Sequence, residues 1–301
     1  MIWAYLALLG RILMLGYERI VVKQLGTNSD SVGAAFLFFS IATLFLIPVL
    51  FFIDMPDDWS FLLWVLLAAA IYSNTFVLYV RSLSLGEASL VGPLYNFNVF
   101  FLLILTSIFL GEKITGLKFA GIFLLFYGTS YLNRQTNPVK SLKALFTDRA
   151  CQLMILCSFL MAFGRTIDGY AVQSVSPVFY SFALYFMISV FLLIFILLKK
   201  KWSFTVDLLK RKPVPSTVAA FINAYSYLFL VIAFTKIQVS IAEPASMLSM
   251  IITVILAKFI FRENIKQRLI GVVIMIVGAW LLTSDELISK LINSAVQLLI
   301  S

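Results

Sequence analysis

The sequence predicts an all-α polytopic membrane protein of ten transmembrane helices, built as two inverted repeats of five. Three observations predict it. The 301 residues are 62% hydrophobic and only 12% charged, about half the charged fraction of an ordinary soluble domain. The apolar residues come in long blocks, such as FLLWVLLAAAIYSNTFVLYV (61–80) and FYSFALYFMISVFLLIFILL (179–198). About 20 residues at about 1.5 Å rise cross a hydrocarbon core roughly 30 Å thick. Finally, landmarks of the first half recur about 150 residues later in the second.

The first span is expected at about 2–24. It has no basic segment ahead of it and no clear A-x-A cleavage site, so it reads as an uncleaved span. Spans at 31–53 and 60–80 flank the acidic turn DMPDD (54–58). The fourth, 87–110, carries Pro93, and the fifth, 116–132, carries Gly121 and Gly128. A polar linker, 134–150, separates the first repeat (1–133) from the second (151–284). The second repeat is expected to span at 151–174, 177–198, 215–235, 239–261 and 267–284. The tail 285–301 is too short and polar to cross. Its apolar residues fall on one face at helical spacing, so it is expected to lie in the membrane interface.

The net charge of +9 does not indicate nucleic acid, because the basic residues sit in short loops between spans. Fourteen Lys and Arg fall on one side and four on the other, which puts both termini outside a cell (inner or plasma) membrane. Cys151 and Cys157 read as core thiols. There is no histidine, which removes His-ligated metal sites and His proton relays. No catalytic residues, metal or cofactor are expected.

The repeat is read from paired positions. Pro93 and Pro244 differ by 151 residues, as do Glu112 and Glu263. Gly121 and Gly128 recur as Gly271 and Gly278, and Glu18 recurs as Asp168. Asn74 and Asn223 sit similarly in the third spans. A repeat of five spans must enter the membrane inverted, and inverted repeats mark secondary transporters with a substrate site at the midplane. The Pro in span four, the Glu after it and the glycine-spaced fifth span resemble the drug/metabolite transporter superfamily, EamA type, over nearly the whole chain. The resemblance implies alternating access, with export of amino acids or other metabolites, or exchange of nucleotide sugars or phosphorylated sugars. It also implies that smaller relatives exchange cationic drugs for protons through a first-helix glutamate, the region where Glu18 stands.

The candidate substrate residues begin with charges inside spans. Each costs about 2.5–3.5 kcal/mol at mid-helix, so it needs a purpose or a partner. Arg11 and Glu18 are seven apart on one face of the first span, and Arg165 and Asp168 are three apart on one face of the sixth. Two readings stand open. The arginines receive a carboxylate or phosphate and the acids an ammonium, proton or cation. Alternatively, each Arg and acid form a self-neutralising pair. Arg19 is expected to snorkel to the interface with Lys23. Pro93 is expected to kink or break span four, freeing backbone carbonyls. Beside it stand Tyr95, Asn96 and Asn98; the two asparagines point 200° apart, one expected toward the cavity and one toward a neighbouring helix. Interhelical hydrogen bonding is the plainer reading for these and for Asn74 and Asn223, and substrate contact the sharper one. Tyr17, Tyr72, Tyr79, Tyr170 and Tyr225 are candidate aromatic walls. Glu243, before Pro244, is either a helix-dipole partner or a gate. Glu112 and Glu263 read as turn residues, and the glycine pairs as close-packing faces.

The leading expectation is a transporter, an exporter of a small zwitterionic or anionic metabolite such as an amino acid, with lipid around it. It acts as a monomer or homodimer, with a proton or cation as a coupling partner open. The alternatives are a proton-coupled cation or drug antiporter built on Glu18 and Asp168 and, behind it, an integral-membrane enzyme.

Overall fold

The computed structural model describes residues 2–110, 116–132, 138–237 and 239–281. Glu112 and the tail 285–301 lie outside them. Every regular element among the described residues is a helix, with no strand. The first half runs α1 (Ile2–Gly26), α2 (Ser31–Leu50), α3 (Phe61–Leu85), α4 (Ala88–Val91), a 3₁₀ turn (Gly92–Asn96), α5 (Phe97–Leu110) and α6 (Gly116–Ser130). The linker holds α7 (Pro138–Thr147). The second half runs α8 (Arg149–Ala171), α9 (Pro177–Leu198), α10 (Trp202–Arg211), α11 (Pro213–Phe234), α12 (Val239–Ser246), α13 (Ser249–Phe261) and α14 (266–281).

Among the described residues, six helical segments are long and apolar enough to cross a membrane: Ser31–Leu50, Leu62–Leu85, Ala88–Leu105, Arg149–Ala171, Pro177–Leu198 and Pro213–Phe234. Gly116–Ser130 and Ser249–Phe261 are shorter apolar helices. Although 25 residues long, α1 is not among the six, because Arg11, Glu18, Arg19 and Lys23 interrupt its apolar run.

Local chemistry sets the boundaries. Asp30 and Asp148 cap α2 and α8, accepting from the amides of Gly33 at 3.0 Å and Cys151 at 2.9 Å. Pro93 breaks the fourth apolar segment as expected: its missing N–H leaves α4 one turn long, followed by the 3₁₀ turn that contains Tyr95 and Asn96. α13 ends at Arg262, whose φ of 56° puts it in the left-handed region that closes helices.

The two halves interlock. α1 packs on α11 and α13, while α8 packs on α3 and α5. Exchanging the halves converts the first set into the second. α2 packs on α9, and α6 meets α14 through their glycines. A Cβ on Gly271 would lie 2.6 Å from the Gly128 carbonyl oxygen, and one on Gly278 2.8 Å from that of Gly121. The seven-residue glycine spacing therefore serves backbone approach. Because the obstacle is backbone, Gly271→Leu cannot be absorbed by a rotamer change. We expect it to cost more than the roughly 1–3 kcal/mol of ordinary overpacking, read as a lowered melting temperature in detergent; Ile270→Leu, at an exposed position, is the control that leaves it unchanged.

Candidate functional site

Where the lead helices of both halves face one another lies a small internal cavity. α1 contributes Arg11, Leu15, Glu18 and Arg19; α3 contributes Phe76 and Tyr79; the 3₁₀ turn contributes Tyr95. From the second half come Met161 and Arg165 on α8, Tyr185 on α9, and Asn223 and Tyr227 on α11. The cavity volume is about 20 Å³, room for about one water. This is a closed conformation, and any larger solute requires the helices to part.

Among the described residues, six charged side chains are buried in and around the cavity: Arg11, Arg19, Arg165, Glu18, Asp168 and Glu243. They divide into two groups. Arg165 pairs with two acids, Nη1 at 3.1 Å from Asp168 Oδ2 and Nε at 2.8 Å from Glu243 Oε1. Its guanidinium also sits over the rings of Tyr72, at 5.7 Å, and Tyr227, at 5.3 Å. Asp168 accepts from the Tyr72 hydroxyl at 2.6 Å and the Tyr180 hydroxyl at 2.8 Å. Tyr72 fits against α8 because residue 164 is glycine; a Cβ there would stand 2.3 Å from the ring. Asn98 donates from Nδ2 to Glu243 Oε2 at 3.4 Å, joining α5 to α12.

The second group is looser. Arg11 Nη1 donates to Ser226 Oγ at 2.6 Å. Arg19 Nη1 donates to the Leu15 carbonyl at 3.2 Å and to Ser249 Oγ at 3.1 Å, and its guanidinium lies 5.5 Å from the Tyr95 ring centre. The Nε of each is buried without a hydrogen-bond partner, as is that of Arg165, whose contact with Glu243 Oε1 is an ion pair rather than an aligned hydrogen bond. Glu18 accepts from Tyr79 at 3.3 Å. Among the described residues, none of Arg11, Arg19 and Glu18 has an oppositely charged side chain within 4 Å.

The sequence candidates distribute as follows. Arg11, Glu18, Arg165, Tyr95 and Asn223 line the cavity. Asp168 and Glu243 sit behind Arg165 as its counter-ions. The Arg165–Asp168 pair forms, whereas Arg11 and Glu18 do not pair with each other. Asn98 turns to Glu243, and Asn96 is fully buried with both amide atoms unpartnered. Asn223 accepts from Tyr185 at 2.6 Å. Pro244 falls within α12.

Three expectations are corrected. Arg19 does not snorkel: it is 1% exposed, because α1 continues to Gly26 and leaves it two turns inside the helix. Asn74 is exposed and returns its amide to the Ala70 carbonyl at 3.0 Å; the inward face of α3 is Tyr72, Phe76 and Tyr79, and position 74 points away from it. Tyr17 and Tyr170 are likewise exposed. Tyr227 lines the cavity outside the sequence candidates, and its place four residues after Asn223 on one helix face is the signal that points to it.

No curated protein matches the chain. A solved structure titled only "Crystal structure of protein" aligns over 96% of this chain and 98% of its own, with a TM-score of 0.54 and 13% identity; at that identity it shares the fold. The EamA-like transporter family matches residues 2–134 and 148–284, one match per half. With both halves matched, the chain belongs to the EamA-like transporter family and is a multi-pass membrane transporter of the drug/metabolite type.

Proposed function

We propose that the protein is a secondary-active exporter that moves a small zwitterionic or anionic metabolite, such as an amino acid, by alternating access. The observation that supports it most is the unpaired state of Arg11, Arg19 and Glu18 around the cavity, opposite an Arg165 already held by two acids. Unpaired guanidiniums in a low-dielectric site favour a carboxylate, which they bind through parallel N–H donors. Glu18 stands ready for an ammonium group. The six charged side chains buried around the cavity are three arginines and three acids, so with all six ionised they sum to zero. A zwitterion adds no net charge to that set, and a monoanion adds one unless a proton accompanies it. Tyr79, Tyr95, Tyr185 and Tyr227 supply amphipathic walls.

The test is ligand-induced thermal stabilisation of purified protein across amino acids, phosphorylated sugars, nucleotide sugars and quaternary cations, each at pH 6 and pH 8. A ligand at 100-fold its Kd stabilises the folded state by about 2.7 kcal/mol. We expect an amino acid or related carboxylate to raise the melting temperature, and Arg11→Ala to abolish that rise at both pH values. A rise seen only with hydrophobic cations and lost in Glu18→Gln would instead establish a proton-coupled cation antiporter.

A further inference from the structure

The segment 199–212, KKKWSFTVDLLKRK, carries six basic residues and one acid. It joins the end of α9 to the start of α11, two helices apolar enough to cross the membrane. Both its ends are therefore fixed at one membrane face, and α10 has to run along that face.

Its side chains fit that position. Thr205 and Leu208 are buried where α10 packs on α2, and Trp202 meets the Phe36 ring edge-on at 6.1 Å. On either side of that buried line, Trp202, Phe204 and Leu209 are exposed, while Ser203, Asp207, Lys210 and Arg211 form the remaining polar arc. Two of the six cations hold the helix in place. Lys201 pairs with Asp30 at 2.5 Å. Lys212 donates to the carbonyls of Gln24 at 2.8 Å, Leu25 at 3.2 Å and Thr27 at 2.5 Å, closing the C-terminus of α1. Lys199, Lys200, Lys210 and Arg211 remain exposed, and Arg211 shares the single acid, Asp207, in a surface pair at 2.6 Å.

We propose that α10 is an anionic-lipid docking surface. Trp202 and Phe204 enter the headgroup boundary, and Lys199, Lys200, Lys210 and Arg211 engage phospholipid phosphates. Charge and geometry select this occupant. A helix held against α2, with an exposed aromatic on each side of its buried line and adjacent exposed cations, matches a negatively charged leaflet. A soluble acidic partner would leave Trp202 and Phe204 uncovered.

The experiment presents the full chain, in a mild detergent, with equal amounts of phosphatidylglycerol and phosphatidylcholine, and counts retained lipids by native mass spectrometry. We expect at least about a tenfold preference for phosphatidylglycerol. In K199Q/K200Q/K210Q/R211Q the preference disappears while total phosphatidylcholine retention is unchanged. K140Q/K143Q, on α7, keeps the preference. Trp202→Ala with Phe204→Ala lowers retention of both lipids alike. The four glutamines replace exposed side chains, so elution volume and melting temperature stay at parental values. No preference in the parent, a preference that survives the four substitutions, or one lost equally on α7 overturns the proposal.

Discussion

Asp168→Ala is expected to destabilise the folded protein by about 3–5 kcal/mol, the cost of stripping one partner from a buried ion pair. Asp168 is fully buried and is the one acceptor shared by Tyr72 on α3, Arg165 on α8 and Tyr180 on α9. Removing it leaves Arg165 with Glu243 alone and two phenols without their acceptor, at the junction of three helices and both halves. For a chain of this size the loss corresponds to a fall in melting temperature of roughly 6 °C or more. Asp168→Asn keeps the volume and one acceptor oxygen, so its fall is smaller. Equal effects from both substitutions would show that the charge, lost in both, carries the whole tie and that volume adds nothing; no effect from either would remove Asp168 from the set of structural ties.

The second large effect is expected at Glu263. It sits outside the apolar helices, between α13 and α14, yet its carboxylate ties two elements of the first half, α1 and α4, to the second. Lys23 of α1 pairs with it at 2.8 Å. The amides of Ala88 and Ser89, opening α4, donate to it at 3.0 and 2.9 Å, and the Ser89 hydroxyl at 2.5 Å. Arg268 of α14 lies 3.7 Å from it and also pairs with Glu87. Hydrogen bonds to a charged group contribute about 1.5–3 kcal/mol each. Glu263→Gln should therefore speed hydrogen exchange at Ala88 and Ser89 by roughly ten- to a hundred-fold. Burial pushes the Glu263 carboxyl up, but Lys23 and Ser89 together outweigh it and hold it below its ordinary 4.5. A depressed folded-state value means that this stabilisation is present above pH 4.5 and fades as pH falls through the lower folded value. The parent should lose thermal stability on that acid limb, and Glu263→Gln should flatten it. Unchanged exchange at both amides would show that the tie does not hold α4.

Much of this arrangement is legible in the chain. The apolar blocks locate the long helices because hydrocarbon thickness fixes their length, and Pro93 announces the broken fourth segment because it lacks an N–H. The glycines at 121, 128, 271 and 278 announce the α6–α14 contact because only a missing Cβ permits it. What local sequence does not carry is the identity of partners across the halves. Arg19 reads as a snorkelling residue until Ser249 and Tyr95, from other helices, are seen to hold it. Glu243 gives equal weight to a dipole and a gate until Arg165 stands beside it. Asn74 is different: its spacing from Tyr72, Phe76 and Tyr79 already turns it outward, and the symmetry argument that paired it with Asn223 outweighed that spacing. Symmetry relates sequence positions, but the packing face decides which side chains enter the cavity.

The interlocked packing of α1 against α11 has a consequence for biogenesis. α11 leaves the ribosome about 190 residues after α1 is complete. At roughly 5–20 residues per second, that is a wait of roughly 10–40 s. Throughout it, Arg11, Glu18 and Arg19 lack Ser226 and the other second-half side chains that later enclose them. A lead helix carrying three such charges is a poor substrate for immediate release into lipid. It must wait at the insertion machinery or along the bilayer surface until the second half arrives. In newly made chains truncated before Pro213, a cysteine introduced at Leu15 of α1 should therefore react with a water-soluble thiol reagent, whereas in chains extended past Phe234 it should not.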